Sequence, residues 1–543
     1  MLLLFLTLSF PLFAQEQQIP FSFFKDKPRS LMKDFYIYRY LDQNISAKEA
    51  RALVGEVKNM NWKLFNRFAD KVDDFSFKRI KYCRQLQAEF FTGKDNDCIM
   101  IGLSPYKATK LPPETLTKIA EQIAWQYPKR AALYKAIASR DFDFISQIDP
   151  KLFLTVFNTT GGSYRKKYLN HPIPPKLLDT LSTLPAFNAA INKIVRTPKL
   201  TQLQKSILKF DSSKLNAESN FLLGLNALKQ QQEKIALWYF KQSEKKAWNN
   251  FEKDKARFWQ YLVNRDTKIL QSMLTQSKDI NLYTLFAYEK LGKLPQNIAI
   301  SIEPKQPKAP FDITDPFTWL KIKETFDHNR SVPFEVKKRA ALKLNSKETE
   351  PHVARLIYRY KDNIHYYLFP YMQYIRSLPK KRQALILALA RQESRFIPTE
   401  ISYSYALGLM QFMPFLAKAI AKEEGMKEFR YEQMFDPKIA YRFADIHLDY
   451  LEKHLFHPLL VAYAYNGGIG YTRRQIIQSD NCFTKGKYEP FMTMEMLPNA
   501  QARKYGKKVL ANYVVYARLL GVKDISLFSQ LEVLRQKSRI SDF

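Results

Sequence analysis

The chain has 543 residues, 46% of them hydrophobic, and this length is too great for one hydrophobic core, so we expect two to four domains. Only 15 glycines stand against 40 phenylalanines and 31 tyrosines, which argues against a glycine-rich β or α/β architecture and favours long helices with packed aromatic side chains. The formal net charge of +34 predicts either a polyanionic partner (nucleic acid, an anionic membrane or a cell-wall polymer) or simply a basic, solvated surface.

The N-terminus carries an apolar run, LLLFLTLSFPLF, at residues 2–13. This run has the length of a signal-peptide core and is too short to cross a bilayer comfortably. We expect residues 1–14 to be a signal peptide cleaved after Ala14, with an uncleaved N-terminal anchor as the alternative. No other stretch is predicted to cross a membrane. Export excludes nucleic acid as the partner, because an exported protein rarely meets it.

Three cysteines are present. Cys83 and Cys98 are 15 residues apart and flank a turn-like segment, so an exported chain can join them in a disulfide. Such a bond contributes about 3 kcal/mol on the chain-entropy account. Cys482 is left single. Because CxxC and HExxH motifs are absent, we expect neither a metal site nor a cofactor.

Residues 15–303 read as helices separated by prolines and short polar turns. Pro112 and Pro113 signal the start of one helix. A later stretch has Leu223-Gly224 and then Ala236 with Phe240 four residues on, as in one tetratricopeptide-type helix pair. No strict period is present, so we predict an irregular α-helical superhelix rather than a regular repeat array.

A proline-rich segment, PKQPKAPFDITDP at 304–316, is the best linker candidate. Helical patterns resume at Phe317, so residues 304–374 are interpreted as a linker and a second helical region. From residue 375 to 543 the chain alternates compact apolar helices with turns that contain glycine and methionine. We predict a second, smaller globular domain there.

One carboxyl group stands out in this second domain, in the stretch QALILALARQESRF. Ile386, Leu389 and Ala390 precede Glu393 at helical spacing, so Glu393 is predicted to continue a buried stripe. Burial raises the pKa of a carboxyl group, and a protonated Glu near neutral pH can act as a general acid. The alternative is a structural Glu that caps the helix or pairs with a neighbouring arginine.

The residues that follow suit contact with a sugar. Gly408 permits a close backbone approach, and Gln411 offers an amide suited to hydroxyl or N-acetyl groups. Met410 and Met413 offer soft apolar contacts. Further on, Asn466 and two glycines break a helix beside a tyrosine in AYAYNGG. Taken singly, a methionine stripe is usually core and Asn-Gly is usually a turn.

The order ARQESRF, then Ser, then GLMQFMP, then AYNGG resembles the soluble lytic transglycosylases of bacterial peptidoglycan, specifically between Tyr374 and Arg503. The resemblance implies a mainly all-α fold: an α-helical superhelix followed by a lysozyme-like, mostly helical catalytic domain at 375–543. It makes Glu393 the catalytic acid and base. The residues that it places against substrate are Ser402, Met410, Gln411, Met413, Tyr465, Asn466, Gln501 and Tyr516. Gln501 stands where the family often has Glu, in PNAQARKY, so no charge-based role is expected of it.

The resemblance also implies the reaction. Ordinary glycosidases need two carboxylates, but no second carboxylate lies in a recognisable motif. In the family, one Glu protonates the bond between N-acetylmuramic acid and N-acetylglucosamine, and the C6 hydroxyl then closes a 1,6-anhydro ring. Peptidoglycan strands and muropeptides are the expected partners, cell-wall synthases are further candidates, and the periplasm is the expected location. A hydrolytic muramidase on the same fold and a non-catalytic helical scaffold are the alternatives.

Overall fold

The computed structural model describes residues 18–328, 332–358, 363–477, 482–483 and 486–535. The predicted signal peptide at 1–14 lies outside these residues. Across the described ranges the chain is mainly α-helical, as predicted, with thirty α-helices and a single pair of short strands.

In chain order the α-helices are α1 (Leu31–Tyr40), α2 (Ala47–Val54), α3 (Trp62–Lys71), α4 (Phe75–Gln85), α5 (Asn96–Gly102), α6 (Pro105–Ala108), α7 (Pro113–Ile123), α8 (Pro128–Ser139), α9 (Phe142–Gln147), α10 (Pro150–Thr159), α11 (Gly162–Tyr168), α12 (Pro175–Ser182), α13 (Phe187–Arg196), α14 (Thr201–Ser206), α15 (Ala217–Lys229), α16 (Glu233–Lys246), α17 (Asn250–Asn264), α18 (Thr267–Ser277), α19 (Leu282–Lys290), α20 (Pro316–His328), α21 (Phe334–Leu342), α22 (Glu350–Ile357), α23 (Lys380–Glu393), α24 (Pro414–Glu423), α25 (Pro437–His454), α26 (Pro458–Gly467), α27 (Ile469–Thr472), α28 (Phe491–Met496), α29 (Ala500–Leu519) and α30 (Leu527–Arg535). Short 3-10 helices cover Phe21–Phe24, Ala88–Phe91, Met372–Tyr374 and Tyr431–Phe435, and Arg473–Ile477 is a π-helix.

The chain forms two compact units, and each is assembled from separate stretches of sequence. Of the described residues, unit 1 contains 18–74, 298–456 and 515–523. Unit 2 contains those in 75–297, 457–514 and 524–535. These contact-based units differ from the contiguous division expected from the sequence, because α1 to α3 pack with the segment from 298 onwards.

Unit 2 contains a long series of helices, α4 to α19, in which chain neighbours such as α7 and α8, or α15 and α16, pack against each other. As predicted, α7 begins at Pro113 with Pro112 as its N-cap. The pair α15 and α16 packs closely at Gly224, where an added Cβ would lie 2.4 Å from a ring carbon of Phe240. A disulfide joins Cys83 to Cys98, whose Cα atoms are 5.3 Å apart.

Unit 1 contains the two strands, β1 (Ile298–Ala299) and β2 (His365–Tyr366), which pair in parallel. Its N-terminal helices share a core with the segment after residue 400. The buried ring of Tyr405 lies 5.9 Å from that of Phe35 and 5.1 Å from that of Tyr38. No motif in the sequence indicates this packing.

No helix within the described ranges is both long enough and apolar enough to cross a bilayer.

Candidate active site

Glu393 is the last residue of α23, which starts directly after Pro379 as predicted. Ile386, Leu389 and Ala390 are fully buried, whereas Glu393 is half-buried. The prediction that Glu393 continues the buried stripe is therefore wrong. The buried stripe ends one turn earlier, at Ala390, because the helix ends at Glu393 and the chain then changes direction. The packed stripe holds the helix rigidly and leaves the Glu393 side chain with access to solvent.

The turn after Glu393 is tight and connects the helix to the loop that contains GLMQ. Arg395 and Phe396 both have left-handed backbones, with φ of 57° and 65°. The buried hydroxyl of Ser394 donates a hydrogen bond to the carbonyl oxygen of Leu409 at 2.8 Å. The ES and GLMQ motifs, which are separate in sequence, are thus held together by one direct bond.

The two arginines beside Glu393 both lie over tyrosine rings. The guanidinium of Arg391 is 4.1 Å from the ring centre of Tyr367, and that of Arg395 is 3.6 Å from the ring centre of Tyr358. Arg391 also donates from Nε to the carbonyl oxygen of Tyr366. Cation–π contacts of this kind orient both arginines.

The loop from 400 to 412 is held by its own polar side chains. The Ser402 hydroxyl accepts from the backbone N–H of Ala406 at 2.9 Å. The Gln411 amide donates to the carbonyl oxygens of Glu400 and Gly408, at 3.0 and 2.8 Å. Both amide donors of Gln411 thus have loop partners, and its Oε1 is the atom that suits a ligand donor.

Gly408 is required by the same loop. Its φ is +77°, and an added Cβ would lie 2.1 Å from the carbonyl oxygen of Met434. Both the left-handed backbone and the close approach suit only glycine. The close backbone approach predicted from the sequence is confirmed.

The apolar residues of the predicted site differ in accessibility. Met413, the N-cap residue of α24, is half-buried, whereas Met410 is fully buried. Tyr516 is also fully buried; its hydroxyl donates to the carbonyl oxygen of Leu368 at 3.0 Å, and its ring lies 5.2 Å from that of Tyr367. Because both side chains are fully buried, Met410 and Tyr516 belong to the core of unit 1 and are not accessible to a ligand in this structure.

Glu400 is the other carboxyl group of this segment. Burial raises the pKa of Glu400, and the charges of Lys323 and Arg355 offset the effect only in part. Glu400 is half-buried. From the sequence it is only a loop carboxyl group seven residues after Glu393, and nothing in the pattern indicates that it is shielded from solvent.

The remaining predicted residues belong to unit 2. Tyr465 and Asn466 are half-buried in the last turn of α26. The buried His457 caps the start of this helix, where Nδ1 accepts from the N–H of Leu459 at 3.0 Å. The helix breaks at the two glycines after Asn466, as the sequence predicts.

Gln501 is exposed in the first turn of α29. The side chain of Asn499 caps this helix by accepting from the N–H groups of Gln501 and Ala502, at 2.9 and 3.1 Å. Arg503, two residues on, is buried and donates to the carbonyl oxygen of Leu497. Because Gln501 faces solvent and Arg503 is buried, only Gln501 is placed to contact a ligand.

A buried charged pair holds α29 in unit 2. Lys507 donates to both carboxylate oxygens of Glu495 at 2.7 Å, and Tyr283 donates its hydroxyl to the same carboxylate. All three side chains are buried. Burial lowers the pKa of Lys507 to about 8, although Glu495 opposes this shift. No motif marks these residues, since each is an ordinary charged or aromatic position within a helix.

A second charged group in unit 2 centres on Glu218. Its carboxylate oxygens lie 2.7 Å from the Lys255 ammonium and 2.9 Å from the Arg196 guanidinium. Burial raises the pKa of Glu218, but the charges of Lys255 and Arg196 outweigh burial and hold it at about 2. Such an ion-paired carboxylate stabilises structure and does not transfer protons near neutral pH.

Comparison with known proteins agrees with the site motifs. Residues 371–485 match the transglycosylase SLT domain. Over 156 residues the chain is 30% identical to the soluble lytic murein transglycosylase of Salmonella typhimurium, covering 28% of this chain and 23% of that protein. Over 143 residues it is 29% identical to the soluble lytic murein transglycosylase of Escherichia coli K12, covering 26% of this chain and 21% of that protein. The aligned region is thus about a quarter of these relatives' length.

Among solved structures, the chain is similar to an inactive mutant of the lytic transglycosylase Slt from Pseudomonas aeruginosa. The TM-score is 0.52 at 15% identity, and the match covers 93% of this chain and 89% of that one. At this identity the likeness concerns the fold alone, and it confirms the predicted fold class.

Proposed function

We propose, from the premise that residues 371–485 of this chain are a transglycosylase SLT domain, that the protein is a peptidoglycan lytic transglycosylase. In this proposal it cleaves the β-1,4 bond between N-acetylmuramic acid and N-acetylglucosamine. The product carries a 1,6-anhydromuramoyl end. The apolar N-terminal run and the murein-related names of the relatives support a periplasmic location.

One observation carries the proposal: a single, half-buried glutamate ends a rigid buried helix and is followed by a serine that binds the GLMQ loop. Glu393 occupies the ES position of the family resemblance, and Ser394 bonds to Leu409 at 2.8 Å. The carbonyl groups at the end of a helix disfavour negative charge, so they favour the acid form of a carboxyl group there. The first chemical step needs that form.

In the proposed reaction Glu393 donates its proton to the glycosidic oxygen, and the bond from that oxygen to C1 of the muramic acid breaks. The neighbouring N-acetyl group stabilises the positive charge that develops at C1. Glu393, now a carboxylate, takes the proton of the C6 hydroxyl as that oxygen attacks C1. The cycle restores the acid form of Glu393 and consumes no water, so one carboxyl group suffices.

The other predicted residues take roles that fit their exposure. Met413, Tyr465, Asn466 and Gln501 are accessible and keep the substrate-contact role that the resemblance implies. Ser402 and Gln411 hold the loop, and Gln411 retains Oε1 for a ligand. Met410 and Tyr516 act as buried support, which is a change from the contact role expected of them.

Hydrolysis is the closest alternative, and a retaining or inverting hydrolase needs a second carboxylate as nucleophile or base. Glu400, seven residues after Glu393, is the carboxyl group nearest to it in sequence. Burial raises its pKa, but Glu400 lies in no motif of a second catalytic carboxyl group. The products of digestion distinguish the two reactions.

The test is digestion of purified peptidoglycan by the wild type, Glu393→Gln and Glu423→Gln, with the products identified by mass spectrometry. Glu423 is an exposed residue at the end of α24 and serves as a matched control. We expect anhydromuramoyl ends from the wild type and the control, and loss of cleavage in Glu393→Gln. Reducing ends would indicate a muramidase. Undiminished cleavage by Glu393→Gln would exclude Glu393 as the acid, and no cleavage by the wild type would favour a scaffold.

A further inference from the structure

We propose that Trp62 and Tyr403 form an aromatic glycan-binding ledge in unit 1, with Tyr403 on the loop from 400 to 412, and that the ledge binds sugars of a peptidoglycan strand beyond the two sugars that flank the cleaved bond. This inference rests on the proposed function for its substrate class. It assigns a ligand-binding role to the N-terminal helices of unit 1.

Two hydrogen bonds join the segment that contains Trp62 to the segment that contains Tyr403. The Asn61 side chain donates to the carbonyl oxygen of Tyr403 at 3.2 Å, and the Lys63 ammonium donates to the carbonyl oxygen of Ser404 at 3.3 Å. Asn61 and Lys63 flank Trp62, so the start of α3, where Trp62 is the first residue, is held near the 403–404 backbone. Tyr403 itself immediately follows Ser402.

The ledge has a rigid base. Asn61 is also the N-cap of α3, where its side chain accepts from the N–H of Leu64. Beneath it the buried Tyr405 packs against α1, and Asp34 of α1 accepts from the N–H groups of Lys58 and Asn59, both at 2.8 Å. A surface aromatic on a fixed backbone loses little entropy when it binds.

Both residues are exposed, Trp62 at 49% and Tyr403 at 70%, and Met60, two residues before Trp62, is exposed at 38%. Exposed aromatic and apolar side chains grouped in this way offer a surface for a ligand. The negatively polarised face of an aromatic ring attracts the C–H face of a sugar, and the hydroxyl groups of the sugar stay in water.

Charge favours a peptidoglycan strand over a neutral glycan. Lys58 and Lys63 are exposed at the edge of the ledge, and the whole chain has a formal charge of +34. The peptides of peptidoglycan carry carboxylates, which these ammonium groups would attract. A strand that continues from the loop at Ser402 would therefore meet rings for its sugars and ammonium groups for its peptides.

The experiment compares full-length Trp62→Ala, Tyr403→Ala and Trp62→Phe with the control Trp125→Ala, an even more exposed tryptophan in unit 2. Kinetics are measured on long uncross-linked glycan strands and on a tetrasaccharide, which has few sugars beyond the cleaved bond. Binding of the long strands is measured separately in the Glu393→Gln background, where no cleavage interferes. Thermal unfolding verifies that each variant is folded.

We expect each alanine variant to raise KM and Kd for long strands about tenfold, with kcat and the tetrasaccharide KM unchanged. Trp62→Phe should keep most of the affinity, and Trp125→Ala should equal the wild type. Unchanged affinity for long strands in both alanine variants would overturn the ledge, and so would an equal loss on the tetrasaccharide. Failure of the wild type to cleave either substrate would instead overturn the proposed function, while the binding measurement would still decide the ledge.

Discussion

Gly408→Ala is the substitution for which the structure gives the clearest expected cost. The φ of Gly408 is +77°, and an added Cβ would lie 2.1 Å from the carbonyl oxygen of Met434 and 3.5 Å from that of Pro398. Gly425, also in unit 1, has a φ of +67° and no atom within 4 Å of the added Cβ. Gly425→Ala is therefore a matched control that has the backbone cost without the clash.

The two costs can be worked out separately. A left-handed backbone costs alanine about 1 kcal/mol relative to glycine, so Gly425→Ala should lower the free energy of unfolding by about 1 kcal/mol. The contact at Gly408 is with backbone, which cannot rotate away as a side-chain tip can, so the loop must shift. Overpacking of this kind adds about 2 kcal/mol, for a total of about 3 kcal/mol in Gly408→Ala.

Urea unfolding of both variants measures the difference, and peptidoglycan cleavage shows its functional effect. Because the shift moves the loop that Ser394 and Gln411 hold, we expect Gly408→Ala to lose activity at temperatures where Gly425→Ala is still active. Equal destabilisation by the two substitutions would refute the reasoning, because it would mean that the loop accommodates the Cβ without displacement.

Three further predictions concern unit 2. Lys507→Met should lower the free energy of unfolding by about 3–5 kcal/mol, because it leaves the Glu495 carboxylate buried without its ion-pair partner. Adding Glu495→Leu should recover most of this loss. If urea unfolding shows no recovery in the double variant, this explanation is wrong. The pKa of Glu218 is about 2 in the folded chain, below the unfolded value of about 4.3, so its stabilisation is present above pH ~4.3 and is lost as the pH falls towards 2. Glu218→Gln should flatten that part of the stability–pH curve, and an unchanged slope would exclude Glu218 as its source. Reducing the bond between Cys83 and Cys98 should cost about 3 kcal/mol, and an unchanged melting temperature with reductant would contradict this.

The helices and the motif around Glu393 were recognisable in the sequence because they depend on local signals. Pro113 and Pro379 mark helix starts, since proline suits the first turn, and the glycines after Asn466 mark a helix end. The pair of helices with Gly224 and Phe240 was also visible as a pattern. The family motif around Glu393 needs only the order of residues along the chain.

Exposure at the site was less predictable, because it depends on which segments pack together. The pattern suggested that Glu393 is buried and that Met410 contacts substrate, whereas Glu393 is half-buried and Met410 is fully buried. Helical periodicity indicates which residues lie on the same face of a helix. It does not indicate where the segment that covers this face ends. The partial burial of Glu400 has the same origin.

The sequence by itself determined the fold class, the position of the helix that ends at Glu393 and the order of the motifs that follow it, because these depend on backbone preferences and short spacings. Only the tertiary structure decided that Ser394 binds Leu409, that the N-terminal helices share a core with Tyr405, and that Asn61 bonds to the backbone of Tyr403. Asn61 and Tyr403 are 342 residues apart. A contact of that separation leaves no local pattern, because it arises from the packing of whole segments that bury their apolar surfaces together.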